Sequence, residues 1–318
     1  MHPKNIVLIL IVLCLPAPSL GFFQQTQCSD VAERGYLNVL TLNLLYSDFK
    51  NRENRFQIIV DFIEQRAQQE DPIDIILLQE VVGGFLSGTE NSSHDLKQLL
   101  VDKDINYNLI YVPVNNQLGI LTEGIAILSR CKILFTLAKT FKPAWENPSE
   151  GLDIPLRRKV IMGRLHIPGV GNLNVFNTHL CAFCDPENRS IMIAELLDFL
   201  VKVDKLIWWR KDPAIVGGDF NIDRETQEGQ EFYEDILNIG FDDTYAVAND
   251  CESCCSAEEG YQGCTYSVSG NPYTNDPPVR IDYIFTRDVQ VLESTTLFTS
   301  DPDWASDHSG VLSKISIP

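Results

Sequence analysis

The stretch Ala214–Asp223, AIVGGDFNID, runs from an apolar segment through two glycines to Asp219 and Asn221. The apolar segment predicts a buried strand. Because side chains alternate along a strand, Asp219 and Asn221 should share one face while Phe220 faces the core. The glycines predict that another group approaches the backbone closely. The same residues also fit a strand that runs into an Asx turn, so the rest of the sequence must decide between a site and a turn.

The N-terminus has the features of a secretory signal peptide. Lys4 precedes the apolar run Ile6–Leu15, and prolines and small residues follow up to Gly21. The run is too short for a resident membrane helix. We therefore predict a signal peptide over residues 1–21 and a single domain over residues 22–318. The protein is expected to be secreted (extracellular or periplasmic), monomeric and without a transmembrane segment.

The charge balance restricts the partners of the protein. The chain has 25 basic and 44 acidic residues, a formal net charge of −19. Such a surface repels phosphate backbones unless a local basic patch or bound divalent cations intervene. This argues against a nonspecific nucleic-acid binder. It argues only weakly against an enzyme, because a small site can override the net charge.

The cysteines predict disulfides. One of the nine cysteines, Cys14, lies in the signal peptide, and the even number that remains in an exported chain is typical of disulfide bonding. The two CxxC pairs, Cys181–Cys184 and Cys251–Cys254, also fit zinc. Export favours disulfides over zinc, as does the crowding of four cysteines between Cys251 and Cys264. The pairing itself is left open.

Apolar strands alternate with helical patterns along the chain. Helices are predicted over Arg52–Gln68, over Ser190–Trp209, around Gln230–Leu237 and at DLKQLLV. The predicted strands are LNVLTLN, DIILLQE, YNLIYVP, GIAILSR, KVIMGRLHI, LNVFNTHL, PAIVGGDF, RIDYIFT, VQVLEST and GVLSKISI. Strands outnumber helices, so two stacked sheets with helices outside them fit the count better than one parallel sheet.

Polar residues recur at the ends of these strands. Strand termini at one edge of a sandwich lie close together, and binding groups accumulate in the loops there. We therefore expect one pocket. Its candidate residues are Asn43, Glu80, Asn177, His179, Asp219, Asn221 and Asp282, joined by Asp307 and His308 from SDHSG.

These residue types fit the hydrolysis of a phosphoester. Clustered carboxylates repel one another, and a hard divalent cation with oxygen ligands relieves the repulsion. A histidine can act as general acid or base, and Asp282 beside His308 would orient its ring. Together they suit attack by a metal-activated water. Taken singly, each residue also has a structural explanation; Asp282, for example, could be a surface ion pair with Arg280.

Seven short motifs, in order from Thr41 to His308, resemble one known group. TLN, LLQE, GIAILSR, NTHL, GGDFN, RIDYIF and SDH are similar to the endonuclease/exonuclease/phosphatase superfamily, which has the DNase I-like fold. The resemblance implies an α/β protein, a four-layer α/β/β/α sandwich of two packed mixed sheets with outer helices. It also implies phosphoester cleavage that depends on Mg²⁺, with Mn²⁺ or another divalent ion as the alternative.

The resemblance implies a role for each matching residue. Glu80 is the principal metal ligand, assisted by Asn43 and Asp307. Asp219 orients or activates the attacking water, and Asn221 binds the phosphate. The two glycines of GGDFN are expected to give that phosphate room.

The same resemblance implies roles for five further residues. His179 contacts the phosphate or the leaving group. The Asp282–His308 pair supplies a base or a transition-state contact. Asn177 and Lys159 are expected to contact the substrate phosphate.

The order of RRKVIMG, FNTHL, a long helix, GGDFN and VRIDYIF is most similar to the neutral sphingomyelinase branch, in which a lysine comparable to Lys159 precedes this strand. The apolar loop EVVGGFLSG suits contact with a membrane surface, and Trp145 and Trp304 either anchor the rim or simply pack. The expected substrate is thus a lipid head group.

Several features depart from that branch. No C-terminal hydrophobic segment or long hydrophobic hairpin is visible, and the Cys251–Cys264 cluster is foreign to it. A secreted DNase I-like endonuclease, with nucleic acid as substrate, is the first alternative. A catalytically inactive, disulfide-rich binding protein is the second. The presence of Glu80, His179, Asp219, Asn221, Asp282 and His308 argues against the second.

Overall fold

The computed structural model describes residues 28–47, 51–117, 119–142, 145–146, 155–206, 212–252, 254–258 and 260–317. The predicted signal peptide and the side chain of Trp145 lie outside the described residues. Among the described residues, no helix is long and apolar enough to cross a membrane.

Two six-stranded sheets form the centre of the described chain. The first sheet has the order β13-β14-β1-β2-β4-β3 and the second has the order β11-β12-β10-β9-β8-β5. The strands of the first sheet are β1 (Tyr36–Asn43), β2 (Ile75–Gly83), β3 (Asn108–Gln117), β4 (Leu121–Ser129), β13 (Val291–Leu297) and β14 (Gly310–Ser316). Those of the second are β5 (Lys132–Thr140), β8 (Lys159–Ile167), β9 (Gly171–His179), β10 (Ala214–Asp219), β11 (Asp242–Asp243) and β12 (Asp282–Arg287). A separate short pair joins β6 (Trp145–Glu146) to β7 (Pro155–Leu156).

Both sheets are mixed. The pairs β1–β2 and β9–β10 are parallel, and the other neighbours in the two sheets are antiparallel. The strands predicted at KVIMGRLHI and LNVFNTHL form a hairpin, in which β8 and β9 pair up to Ile167 opposite Gly171. The inner faces of the two sheets pack on each other through a buried aliphatic layer that includes Val39, Leu77, Val175 and Ile215.

The described chain has six α-helices, and four of them cover the two outer faces. The six helices are α1 (Val31–Arg34), α2 (Arg52–Gln68), α3 (Ser92–Val101), α4 (Pro186–Leu206), α5 (Gln227–Asn238) and α6 (Thr244–Asn249). Apolar residues of α2 and α3 pack on the first sheet, and those of α4 and α5 pack on the second. The predicted four-layer α/β/β/α sandwich is therefore confirmed. Helix α2 has the bounds that its periodicity predicts, whereas α4 begins four residues before the predicted start, at Pro186, a residue favoured in the first turn.

The two glycines of GGDFN serve the packing of the sheets. A Cβ on Gly217 would lie 2.7 Å from Cδ1 of Leu77 in the facing sheet. Gly218 has a φ of +140°, and a Cβ there would overlap the carbonyl oxygen of Thr178 on the neighbouring strand. The expectation that they make room for a phosphate is wrong, because sheet and strand atoms fill the space beside them.

The eight cysteines of the described chain form four pairs at disulfide distance. The Cα–Cα separations are 4.9 Å for Cys28–Cys131, 5.8 Å for Cys181–Cys184, 5.2 Å for Cys251–Cys254 and 4.8 Å for Cys255–Cys264. Each CxxC motif pairs within itself, as two disulfides rather than one shared zinc site. The first pair ties the segment before α1 to the start of β5.

Candidate active site

Four strands of the second sheet bring a row of residues to one edge of the sandwich, which is called the cleft below. In the strand register, Lys159 lies opposite His179, His179 opposite Asp219, and Asp219 opposite Asp282. Residues directly opposite one another share a face of the sheet. The next residue on that face of β8, Ile161, belongs to the layer between the sheets. The row therefore faces the first sheet at the edge of the sandwich.

The side chain of Asp219 connects the two sheets through a hydrogen bond. Its carboxylate is buried, and Oδ2 accepts a hydrogen bond of 2.9 Å from Nδ2 of Asn43, the last residue of β1. Its Oδ1 accepts one of 2.9 Å from the backbone N–H of Asn221. Two imidazoles face the same oxygen, since Oδ2 lies 3.5 Å from Nε2 of His179 and 3.8 Å from Nε2 of His308.

His308 is held by Asp282. Its Nδ1 lies 2.8 Å from Oδ2 of Asp282, and both residues are buried. Burial alone would lower the pKa of His308, but the charges of Asp282 and Asp219 outweigh it, so the pKa lies well above its ordinary value. Burial raises the pKa of Asp282 to about 6 against the opposing charge of His308. Oxygen and nitrogen atoms of Asp219, Asp282 and His308 lie within 4.8 Å of one another, close enough to share a metal ion.

His179 faces a second carboxylate. Its Nδ1 lies 3.5 Å from Oε1 of Glu123. That same oxygen is 2.5 Å from Nη1 of Arg158, and Oε2 accepts a bond of 3.0 Å from Asn115. Burial opposes ionisation of Glu123, but the charges of Arg158 and His179 prevail and hold its pKa below its usual range. Glu123 is thus an ionised group that anchors His179.

Glu80 lies beside this cluster on a distorted part of β2. Its φ is +52°, and the register of β2 against β4 shifts between Leu78 and Val81. Such a bulge re-aims a side chain, and strained backbone of this kind is concentrated at functional sites. Oε2 accepts a bond of 2.8 Å from the backbone N–H of Tyr46. The sequence predicts that this strand ends at Glu80, but β2 continues to Gly83.

The electrostatics of Glu80 fit a divalent cation. Withdrawal from solvent raises its pKa, and the negative charges of Asp307 and Glu123 raise it further against His179. Carboxylates that destabilise one another in this way are neutralised by a hard cation with oxygen ligands. Asp307 also acts on His308. The predicted ligands Glu80 and Asp307 therefore border the same cleft as Asp219.

Asn221 is at the site but not in the predicted manner. Strand β10 ends at Asp219, and Asn221 has a left-handed φ of +51°. The alternation of a regular strand therefore does not apply, and its Nδ2 donates to the carbonyl oxygen of Leu180, 3.0 Å away. The expectation that Asp219 and Asn221 share one strand face is wrong. A phosphate contact by Asn221 stays a prediction.

The structure does not bring Asn177 to the cleft. Asn177 is fully buried between the sheets, where Nδ2 donates to the carbonyls of Leu78 at 2.9 Å and Ala126 at 2.8 Å. Its Oδ1 accepts a bond of 2.8 Å from Gln79. A substrate cannot reach this amide, and we remove it from the candidate site. Lys159 does stand in the row of cleft residues, where its Nζ donates to the carbonyl oxygen of Pro113 at 2.6 Å.

Two residues of the site, Glu123 and Arg158, are absent from the sequence prediction. Strand β4 is antiparallel to β2, with Glu123 opposite Val82, so the beginning of β4 lies at the same edge as the end of β2. Arg158 precedes β8 at that edge in the same way. The signal was present as a glutamate just before the run GIAILSR, and as an arginine just before KVIMGRLHI.

The profile of the Endonuclease/Exonuclease/phosphatase family matches residues 40–308. The chain belongs to the endonuclease/exonuclease/phosphatase family. Members of this family are hydrolases that act on phosphoesters, and the described site lies within the matched residues. A comparison with curated proteins finds no match.

Solved structures with the same fold include a protein of this family. An endonuclease/exonuclease/phosphatase family protein from Leptotrichia buccalis is 23% identical with a TM-score of 0.63, over 88% of this chain and all of that one. D. rerio TDP2 complexed with single strand DNA product is 16% identical with a TM-score of 0.61, over 88% and 99%. The human Nocturnin catalytic domain with bound sulfate is 20% identical with a TM-score of 0.61, over 89% and 95%. These likenesses show the fold.

Proposed function

We propose that this protein is a secreted, Mg²⁺-dependent phosphodiesterase that hydrolyses the head-group phosphodiester of a phospholipid, as a sphingomyelinase does. One observation carries the proposal. Oδ2 of Asp219 faces the Nε2 atoms of both His179 and His308, at 3.5 Å and 3.8 Å, beside the mutually repelling carboxylates of Glu80 and Asp307. Such a site supplies a proton acceptor, two imidazoles and an anchor for a cation around one phosphate.

The chemistry follows from the positions of these groups. Asp219 takes the proton of a water whose oxygen forms a bond to phosphorus as the bond from phosphorus to the leaving oxygen breaks. His308, protonated because its pKa is raised, donates to a phosphoryl oxygen in the transition state. His179 donates to the leaving oxygen. A divalent ion on Glu80, Asp307 and Asn43 would neutralise charge on the phosphate.

Exposed apolar residues beside the cleft support a lipid substrate. Phe85, Leu86 and Ile120 are 86%, 61% and 49% exposed. They form one tip, because the backbone N–H groups of Phe85 and Leu86 donate to the carbonyls of Gly119 and Ile120. Phe85 and Leu86 follow the end of β2, the strand that carries Glu80. Exposed apolar groups next to a site are typical of membrane contact. Trp304 is buried and packs inside the protein.

Secretion is supported by the N-terminal sequence and by the four cysteine pairs, which suit an oxidising compartment. A secreted endonuclease is the second candidate, since D. rerio TDP2 complexed with single strand DNA product has the same fold. The net charge of −19 weighs against a duplex substrate. An inactive binding protein is not favoured, because the candidate catalytic groups stand together in the structure.

A side-by-side assay tests the proposal. The purified chain from residue 22 is incubated with sphingomyelin vesicles, plasmid DNA and soluble inositol phosphates, with Mg²⁺ and with EDTA. Release of choline phosphate that EDTA stops and Mg²⁺ restores is the expected result. DNA nicking without release of choline phosphate contradicts the lipid substrate, and hydrolysis that EDTA leaves unchanged contradicts the metal.

A pair of variants tests the apolar tip. Phe85→Ser with Leu86→Ser should lower hydrolysis of vesicles and leave hydrolysis of the soluble diester bis(p-nitrophenyl) phosphate unchanged. Leu237→Ser, which alters an apolar side chain exposed on α5, is the matched control and should change neither activity. Equal losses on both substrates would show that the tip acts on folding or chemistry rather than on lipid contact.

A further inference from the structure

The cysteine-rich segment before β12 reaches the Asp282–His308 pair. Within it, Tyr266 forms isolated antiparallel bridges to two partners, Val279 and His308. The residues Thr265–Ser267, called the clamp segment below, therefore lie between the chain that leads into β12 and the chain that leads into β14. The clamp segment directly follows Cys264, which is paired with Cys255.

The clamp segment bonds to the backbone on both sides of the pair. Oγ1 of Thr265 accepts hydrogen bonds of 3.0 Å from the backbone N–H groups of Ile281 and Asp282. The carbonyl oxygen of Thr265 accepts one of 2.6 Å from Ser309. On the other side, the N–H of Ser267 donates to the carbonyl oxygen of Asp307 at 3.2 Å. The two segments that carry Asp282 and His308 are thus joined through three residues.

The ring of Tyr266 lies against the imidazole of His308. The ring centroids are 4.9 Å apart and the planes are inclined by 51°, within the range of favourable aromatic contacts. The hydroxyl of Tyr266 donates to Oδ2 of Asp276 at 2.6 Å, which fixes the far end of the ring. Burial and the bond to Asp276 raise the pKa of Tyr266 to about 12, so the hydroxyl stays a donor. Ser267 in turn donates from Oγ to the backbone carbonyl of Asp276.

We propose that Tyr266 is a positioning residue for His308, holding the imidazole so that Nδ1 meets Asp282 and Nε2 faces Asp219. This inference rests on the phosphodiesterase function proposed above. The contact between the two rings limits the orientations that the imidazole can adopt. The bond to Asp276 restrains the ring, and a restrained neighbour removes alternative orientations of His308.

Kinetics of Tyr266→Leu and Tyr266→Phe test the role. On bis(p-nitrophenyl) phosphate, Tyr266→Leu should lower kcat about 10- to 100-fold, since a shift of about 1 Å in a catalytic group has that effect. KM should change by less than about twofold, because binding is not altered. Tyr266→Phe keeps the ring and should retain most of kcat. In a His308→Ala background, Tyr266→Leu should cause no further loss.

Tyr261→Leu is the matched control, because this tyrosine lies in the same segment with its side chain 45% exposed. It should keep the parent kcat. A parent kcat in Tyr266→Leu, a change confined to KM, an equal loss in Tyr261→Leu, or an undiminished effect in the His308→Ala background would each overturn the proposal.

A spectroscopic readout separates this proposal from the proposed function. The imidazole resonances of His308, assigned by their loss in His308→Ala, should shift in Tyr266→Leu as the ring current disappears and the bond from Nδ1 to Asp282 loosens. They should stay near the parent positions in Tyr266→Phe. If the parent hydrolyses none of the phosphodiesters offered, the proposed function fails, while unshifted resonances in Tyr266→Leu would independently refute the positioning role.

Discussion

Two histidine–carboxylate pairs flank Asp219, and they differ in how the carboxylate is held. His308 Nδ1 is bonded to Asp282 at 2.8 Å, whereas His179 Nδ1 stands 3.5 Å from Glu123. Both rings direct Nε2 towards the same oxygen of Asp219. Each pair consists of an imidazole and a carboxylate, yet the pKa of Asp282 is raised and that of Glu123 is lowered.

An arginine accounts for the difference. Arg158 lies 2.5 Å from Glu123 and compensates for the burial of its charge. Among the described residues, Asp282 has no arginine paired with it and interacts with His308 instead, and its negative charge raises the pKa of that histidine. A buried carboxylate can therefore stabilise the protonated form of its histidine when no arginine or lysine is paired with the carboxylate. We infer that the His308 pair takes part in the proton balance of the reaction, and that the Glu123 pair mainly orients a ring.

The largest expected effect is on Asp219 and His308. Asp219→Ala and His308→Ala should each lower kcat by about 10²- to 10⁴-fold, the usual contribution of an acid–base group, while circular dichroism shows an intact fold. Asp242→Asn, at an exposed aspartate, is the control and should retain full activity. Turnover within about tenfold of the parent in both alanine variants would remove the proposed mechanism.

The next effect concerns Arg158. Arg158→Met leaves the buried carboxylate of Glu123 without its cation, so the free energy of unfolding at pH 7 should fall by about 3 to 5 kcal/mol. Arg157→Met, at the exposed neighbouring arginine, is the control. Urea unfolding measures both. Identical midpoints for the two variants would show that Arg158 does not hold Glu123 in solution.

Acid should weaken this stabilisation in a defined direction. Because the folded pKa of Glu123 lies below its ordinary 4.5, its contribution is complete above pH 4.5 and is lost as the pH falls towards the folded value. The stability difference between the parent and Arg158→Met should therefore shrink in urea titrations below pH 4.5. A difference that is constant with pH would assign the loss to packing.

The pH dependence of kcat should distinguish the two histidine–carboxylate pairs. Asp282 has a pKa of about 6, so its carboxylate, and with it the ion pair that orients the imidazole of His308, is lost as the pH falls below 6. The value of kcat should then fall about tenfold per pH unit. Asp282→Asn should flatten this acid limb, whereas Glu123→Gln should leave it in place. An acid limb that follows Glu123 instead would reverse the assignment of the two pairs.

The smallest effect is expected at Asn115, whose side chain donates a hydrogen bond to Glu123. Asn115→Ala removes the 3.0 Å hydrogen bond to Oε2 of Glu123. The free energy of unfolding should fall by about 1.5 to 3 kcal/mol, the usual contribution of a hydrogen bond to a charged group. The value of kcat should stay within about twofold of the parent, because His179 keeps its carboxylate. Asn116→Ala, at the exposed neighbour, is the control for thermal unfolding. A large loss of kcat would give Asn115 a role at the substrate.

Regular periodicity predicted most of the fold. The helical spacing of Phe56, Ile59, Val60 and Ile63 gave the bounds of α2, and apolar runs gave most of the central strands. Strand β5 lacks such a signal, because it lies at a sheet edge and most of its residues are exposed or partly exposed. An edge strand has few buried neighbours, so its apolar content does not mark it out.

The site was predictable where strands stay regular and less so where they bend. Rules of alternation fail at Glu80, where a left-handed φ accompanies a bulge within β2, and at Asn221, where a left-handed φ follows the end of β10. They also do not predict how far a side chain lies from the edge of the sandwich. Asn177 and His179 share a face of β9, but only His179 is near enough to the edge to meet the cleft, while Asn177 lies under the first sheet. Depth depends on the second sheet, which local sequence does not report.

The row Lys159, His179, Asp219 and Asp282 has a geometric consequence for any redesign of the enzyme. Its members sit on neighbouring strands, so the lateral interval between them is the strand spacing of about 4.8 Å, set by main-chain bonding. Substitution can exchange the functional group at each place, but it cannot alter the pitch of the array. Adaptation to a larger or smaller substrate must therefore come from the loops above it.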